Sequence, residues 1–232
     1  MLNWNQYRVL TFDCYGTLID WEAGILNALK PVLIAHQVKI SQDDALELFG
    51  ELESAEEHEY KRYRAVLENV LPEMGARLGF APSGDETRAF GQSVADWQVF
   101  PDTVDALFAL KKKYKLVILS NVDDDLFAFS AKKLQVAFDD VITAQQCGSY
   151  KPSLNNFRVA AKRVGVPKNE WLHVAQSLFH DIAPAQEMGL KTVWVNRRWN
   201  KQGGGATLPT EARADVEVRS LGELAEKIKD EG

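Results

Sequence analysis

Short unbroken apolar runs, rich in β-branched residues, recur along the chain. They are Val9-Leu10-Thr11-Phe12, Leu116-Val117-Ile118-Leu119, Val141-Ile142-Thr143, Trp171-Leu172-His173-Val174 and Thr192-Val193-Trp194-Val195. Strands covered on both faces lose the alternation of buried and exposed positions, so runs of this kind predict a parallel sheet sandwiched between helices. Val216-Glu217-Val218 is expected as a last edge strand. Between the runs the apolar positions recur with a helical period: Val104, Leu107 and Leu110; then Leu126 and Phe129; then Phe157, Ala160, Ala161 and Val164, with Gly165 as a stop. Another helix is expected over residues 181–188, stopped by Gly189, and Ser220 to Glu223 has capping-box spacing before a final helix. Strand and helix in alternation predict a doubly wound α/β sheet.

Residues 20–100 break this rhythm and read as helical throughout. Ile25, Leu29 and Leu33 make one stripe; Tyr60, Tyr63, Leu67, Val70 and Leu71 make another. Ser41 is expected to cap a helix whose first turn carries Asp43 and Asp44, and Pro72 to kink or end one. The simplest organisation is a helical domain over 20–97, inserted after the first strand of a core built from 1–19 and 98–232, with the chain returning near Phe100-Pro101-Asp102. Gly203-Gly204-Gly205 is expected to be a flexible loop.

Composition narrows the function. A chain of 232 residues can bury a sizeable core without disulfide staples. The net charge of -6 argues against nucleic acid or an anionic membrane as partner, but not against a small anion, because a local pocket can be positive on an acidic protein. No window approaches the ~20 apolar residues of a membrane span. The opening Met1-Leu2-Asn3-Trp4-Asn5-Gln6-Tyr7-Arg8 lacks the basic and apolar stretches of a signal peptide. Cys14 and Cys147 are isolated and read as reduced thiols, so a cytoplasmic location is expected.

Candidate chemistry sits at the ends of the apolar runs. In Phe12-Asp13-Cys14-Tyr15-Gly16-Thr17-Leu18 the first run ends in a carboxylate and a tight glycine turn. Ligands of open α/β sheets bind just beyond the carboxyl ends of the strands. A carboxylate there can attack an electrophile and form an ester or acyl phosphate; the plain alternative is a turn cap. Ser120 and Asn121 close the second run and offer donors to an anion, or an N-cap to the next helix. Lys151 in Tyr150-Lys151-Pro152-Ser153 supplies a cation, in what would otherwise be a surface loop. Asp181, after the fourth core run, would orient water or pair with Lys151, or simply begin a solvated helix. Each signal is weak alone. Every one of them follows a predicted core strand, which places all four on the same sheet edge.

The order Asp-x-Tyr-Gly-Thr, Ser-Asn, Lys-Pro and a strand leading to an Asp resembles the haloacid dehalogenase-like (HAD) hydrolase superfamily over nearly the whole chain, including a helical cap. Most of that superfamily are phosphatases, which carry a second Asp two residues after the nucleophile and an acidic pair after the fourth strand as a Mg²⁺ ligand. Here the first position is Tyr15, a phenol with a pKa of about 10, and the second is Ala175-Gln176, whose amide is a weaker ligand for a hard cation. The pattern is most similar to the type II (L-)2-haloacid dehalogenases, whose first motif reads Asp-x-Tyr-Gly-Thr.

That resemblance implies an (S)-2-haloacid dehalogenase. Asp13 would attack the α-carbon, halide would leave without protonation, and water would hydrolyse the aspartyl ester to release a 2-hydroxyacid. It implies catalytic roles for Asp13, Thr17, Lys151 and Asp181, and substrate contacts from Cys14, Tyr15, Ser120, Asn121 and Ser177. No metal and no cofactor are implied; the partner is a small 2-haloacid or similar carboxylate, and a homodimer is a state that family members often take. The family's Arg-Gln-x-Gln-Leu-Glu-Tyr stretch, whose Arg receives the halide, has no counterpart here, which leaves Arg62 and Arg64 as candidates. Phe157 and Leu178 stand where Tyr and Asn are common. Tyr15, Trp21 and Trp97 would line an apolar pocket or fill the core. Three alternatives stay open: a phosphatase of the same superfamily acting on a small phosphomonoester with Mg²⁺ as cofactor, a receiver domain (which lacks a cap), and a non-catalytic family member with a binding role.

Overall fold

The computed structural model describes residues 2–201 and 203–231. Met1 at the head of the opening stretch, Gln202 and Gly232 at the end of the expected core segment lie outside the described residues. The chain forms β1 (Val9–Phe12), then α1 (Trp21–Ala35), α2 (Gln42–Glu56), α3 (Tyr63–Leu78) and α4 (Gly84–Gln92). It returns through α5 (Thr103–Lys111), β2 (Lys115–Ser120), α6 (Asp124–Leu134), β3 (Asp140–Thr143), α7 (Ala144–Cys147) and α8 (Leu154–Val164). It closes with β4 (Trp171–Ala175), α9 (Ala183–Glu187), β5 (Lys191–Val195), β6 (Val216–Val218) and α10 (Leu221–Glu231).

The six strands lie in the order β3-β2-β1-β4-β5-β6, and every neighbouring pair is parallel. β1 pairs with β2 on one side and β4 on the other, with Val9 level with both Lys115 and Trp171. The strand order reverses here, so a crevice opens at the carboxyl end of β1. Successive residues point to opposite faces, which is why the runs are apolar throughout. Val9, Val117, Leu119 and Trp171 pack under α8 and α9 with Phe157, Ala160 and Ala185. Leu10, Phe12, Leu116, Ile118, Leu172 and Val174 face the other way, towards Leu107, Leu126 and Leu224 of α5, α6 and α10. Each such large side chain, fully buried, contributes about 1.5–3 kcal/mol.

Helices α1 to α4 pack on one another, and their core is continuous with the second face of the sheet through Ile25, Phe49, Val66 and Trp97. Asp20 caps α1 by accepting from Ala23 N at 3.2 Å, and Ser41 caps α2 by accepting from Asp44 N at 3.1 Å. Pro72 does not end its helix: α3 runs through it to Leu78 and stops at left-handed Gly79. The buried stripe Val66, Leu67, Val70, Leu71 and Met74 holds the turns on both sides of the missing N–H. The outgoing and returning chain segments are stitched together where they meet. Asp20 N donates to Gln98 O at 2.8 Å, Phe100 N donates to Leu18 O at 3.1 Å, and Ile19 bridges Val99. In the Gly203-Gly204-Gly205 segment Gly203 and Gly204 are exposed, while Gly205 and the following Ala206 are buried, Ala206 against Gly50 of α2.

Candidate active site

β1 delivers Asp13 to the crevice. Asp13 N still bonds to Val174 O at 3.1 Å, so the residue is anchored to β4 as the chain leaves the sheet. The loop then folds tightly: Leu18 N and Ile19 N both donate to Cys14 O, at 2.8 and 2.9 Å. Gly16 makes the turn at φ 91°, and a Cβ there would meet Gln176 Oε1 and Trp21 Nε1 at 2.9 Å. This turn brings Thr17 back onto the carboxylate. Thr17 Oγ1 donates to Asp13 Oδ2 at 2.8 Å and accepts from Gln176 N at 2.9 Å.

Lys151, fully buried, holds the other oxygen. Its Nζ lies 2.9 Å from Asp13 Oδ1, 2.6 Å from Asp181 Oδ1 and 2.9 Å from Leu119 O. Those three acceptors match the three protons of an ammonium. The loop carrying Lys151, whose bond to Pro152 is cis, is fixed by Asn121. Asn121 Oδ1 accepts from Lys151 N at 2.7 Å and its Nδ2 donates to Lys151 O at 3.0 Å.

Asp181 comes from a π-helical turn, Leu178–Ile182, that leads into α9 and replaces the single helix expected over 181–188. Such widened turns often carry functional groups. A buried relay supports Asp181 from behind. Trp171 Nε1 donates to Thr11 Oγ1 at 2.7 Å, which lies 2.8 Å from His173 Nδ1, and His173 Nε2 lies 3.0 Å from Asp181 Oδ1. The Asp181 carboxyl oxygen accepts, so the His173 Nε2–H faces it.

The electrostatics divide the two carboxyl groups. Burial pushes Asp13 above the usual carboxylate range, countered in part by Lys151 and Thr17, while the charge of Asp181 pushes the same way as burial. Burial also acts on Asp181, but Lys151 and His173 outweigh it and hold that carboxyl below the usual range. Lys151 is itself raised, because its two carboxylate partners outweigh its burial. The site therefore sets two carboxyl groups, pushed in opposite directions, around one ammonium.

Above them lies a small cavity of about 30 Å³, more than a single water needs. Asp13, Tyr15, Ser120, Asn121, Lys151, Ser177 and Asp181 all line it. Thr17 stands behind Asp13 in contact with it. Cys14 does not reach the cavity: its side chain is buried in the hydrophobic core, because the tight turn sends alternate side chains to opposite sides. Arg62 and Arg64 are not in the lining either, as both reach across to Asp125 at the surface, at 3.1 and 2.9 Å. Trp21 lines the cavity, whereas Trp97 is core, edge-on to Tyr15 at 5.5 Å. Tyr15 points its hydroxyl at Ser130 Oγ, 2.9 Å away, and burial raises it well above a phenol's usual range. Two buried polar atoms here have no protein partner, Ser120 Oγ and Asp181 Oδ2. Unpaired groups of this kind are costly and mark places where a ligand or water completes the site.

Sequence reasoning passed over Glu53, Glu57, Tyr63, His173 and His180. Glu53 continues the buried stripe Leu46, Phe49 of α2, and Glu57 lies one turn further on; an acid on an apolar stripe was the available signal. Tyr63 Oη donates to Glu53 Oε1 at 2.5 Å. His173 was visible as a lone titratable residue inside an apolar run. His180 lines the cavity, and burial lowers it to about 4, so it is neutral at physiological pH.

The fold and this arrangement have known parallels. Residues 7–189 match the family model for haloacid dehalogenase-like hydrolases. An (S)-2-haloacid dehalogenase 4A of Burkholderia cepacia is 26% identical over 199 residues, covering 84% of this chain and 86% of that protein. A glyceraldehyde 3-phosphate phosphatase of Methanocaldococcus jannaschii is 31% identical over 142 residues, 59% of each chain. The structure of the L-2-haloacid dehalogenase from Xanthobacter autotrophicus superposes with a TM-score of 0.80 at 20% identity, over 96% of this chain and 98% of that one, which is a likeness of fold.

Proposed function

The chain belongs to the haloacid dehalogenase-like hydrolases, and from that premise we propose that it is an (S)-2-haloacid dehalogenase with Asp13 as nucleophile. The observation that carries this reading is the Asp13 carboxylate, held at the switch point of the sheet between Lys151 and Thr17, with no second acid at position 15. Asp13 attacks the α-carbon, an aspartyl ester forms, and the carbon–halogen bond breaks with its electron pair leaving on halide. Ser120 Oγ, which lacks a protein partner, supplies a hydrogen bond to the substrate carboxylate. In the second step water adds to the Asp13 carboxyl carbon, the 2-hydroxyacid leaves, and one proton is released. Asp181 Oδ2, also unpartnered, accepts a hydrogen bond from that water, while Lys151 and His173 keep the group ionised. Residues 20–97 act as the cap that closes the cavity. Tyr15, Asn121 and Ser177 complete its walls, with Asn121 working through Lys151 rather than on the substrate directly.

The phosphatase relative keeps a second reading in view, Mg²⁺-dependent hydrolysis of a phosphomonoester. The residues present do not fit a hard dication. Of the other acids lining the cavity, Asp181 is paired with Lys151 and Glu53 is bonded to Tyr63, and the positions where the superfamily's phosphatases carry acids hold Tyr15, whose phenol turns away to Ser130, and the amide of Gln176. With its hydroxyl engaged by Ser130, the same phenol is a poor general acid for an alkoxide leaving group, whereas halide needs none. The test is chloride release from (S)-2-chloropropionate with and without EDTA, against hydrolysis of p-nitrophenyl phosphate with Mg²⁺. Chloride release that survives EDTA and vanishes in Asp13→Asn is expected; phosphomonoester turnover with the haloacid left intact overturns the proposal.

A further inference from the structure

Resting on that reading, we propose that Glu57 holds the substrate carboxylate as a neutral carboxylic acid, donating its O–H to the haloacid anion. The argument begins with donors. Lys151, the cation of the site, has no proton left for a ligand, because Asp13, Asp181 and Leu119 O take all three. Asn121 Nδ2 is likewise committed, to Lys151 O and to Glu57 Oε2 at 3.0 and 3.2 Å. Ser120 Oγ, buried and unpartnered, offers one hydrogen bond from the sheet side and marks where a ligand sits. A carboxylate has two oxygens, and the wall facing the sheet presents the acids of α2.

Charge settles the form of those acids. The floor already holds two carboxylates against one ammonium, so an ionised Glu57 would repel a third carboxylate brought in by the substrate. As a neutral acid it accepts from Asn121 Nδ2 on its carbonyl oxygen and turns its O–H towards the ligand. Its surroundings favour that form. It caps the C-terminus of α2, where the last carbonyls present partial negative charge. The charged and titratable groups facing it are Glu53 on its own helix, Tyr63 of α3, and Tyr150 and Lys151 before α8. Of these only Lys151 favours ionisation, and Lys151 is spent on Asp13 and Asp181. Burial, followed by the charge of Glu53, pushes Glu57 well above the usual carboxylate range, and burial pushes Glu53 itself to about 7.

The sign of the pH effect follows. The haloacid is ionised throughout the working range, and the binding form of the enzyme carries the proton. KM therefore rises about tenfold per pH unit above the pKa of Glu57 in the free enzyme, while kcat stays level. Chloride release from (S)-2-chloropropionate by the full-length chain, followed across about four pH units, reads both constants. Glu57→Gln keeps an N–H donor and cannot titrate, so its KM is flat with pH; Glu57→Ala loses the donor, and its KM is raised at every pH. A wild-type KM independent of pH, a Glu57→Gln profile that still climbs with pH, or a KM that falls as pH rises overturns the proposal and leaves the dehalogenase reading standing. Absence of chloride release at every pH removes the dehalogenase reading, and this proposal with it.

Discussion

Replacing Lys151 with Met is the perturbation on which the structure makes its strongest demand. The substitution keeps much of the side-chain volume and removes one charge. Lys151 is 1% exposed and bridges two carboxylates, themselves 7% and 1% exposed. Removing the cation leaves both buried and uncompensated. Breaking a buried ion pair from one side costs about 3–5 kcal/mol. Here the loss falls in that range rather than doubling it, because the stranded pair relieves itself by taking up a proton. In the wild type Asp181 lies below the carboxylate range, so its contribution is present above its unfolded pKa and fades in acid. In Lys151→Met both carboxyls are raised, so the variant is stabilised by acid and loses that stability as pH rises. Urea unfolding of the two proteins at about pH 5 and about pH 8 then shows a stability gap that widens towards the higher value. Halide release falls by at least ~100-fold, since the protonated pair has a poorer nucleophile. Equal midpoints at both values, or a gap that widens in acid, would refute the ion-triad reasoning.

Two further substitutions probe the loop after β1. Thr17→Val removes the hydrogen bond to Asp13 Oδ2 and the acceptor for Gln176 N; at about 1–3 kcal/mol it lowers kcat/KM for halide release by roughly 5- to 150-fold with an unchanged circular dichroism spectrum. Gly16→Ala puts a Cβ 2.9 Å from Gln176 Oε1 and Trp21 Nε1 at a positive φ; a loss of about 1–3 kcal/mol in urea unfolding is expected, with a fall in turnover because Thr17 moves with the turn.

The sheet was legible because its runs are apolar on both faces, and the edge carrying Asp13, Ser120, Lys151 and Asp181 followed from strand order alone. Pairing of Lys151 with Asp181 was one of three readings the sequence left for Asp181, and the 2.6 Å contact realises it. What stayed hidden depends on tertiary placement. Pro72 was expected to kink or end a helix, because propensity takes no account of the buried stripe that carries α3 through it. Cys14 sits next to the nucleophile in sequence, yet the turn sends it into the core. Glu53 and Glu57 are distant from every motif, and only the packing of α2 over the crevice brings them to the cavity. His173 stood in plain view inside a strand, but its link to Asp181 needs the widened turn Leu178–Ile182 to curl back beneath it.

The stitched crossing at Leu18, Ile19 and Asp20 against Gln98, Val99 and Phe100 has an evolutionary meaning. The helical segment enters and leaves at adjacent points, so a gene can exchange, lengthen or shorten it without redrawing the sheet. A change in that segment then leaves the strand order, and the edge that carries Asp13, Ser120, Lys151 and Asp181, as it was.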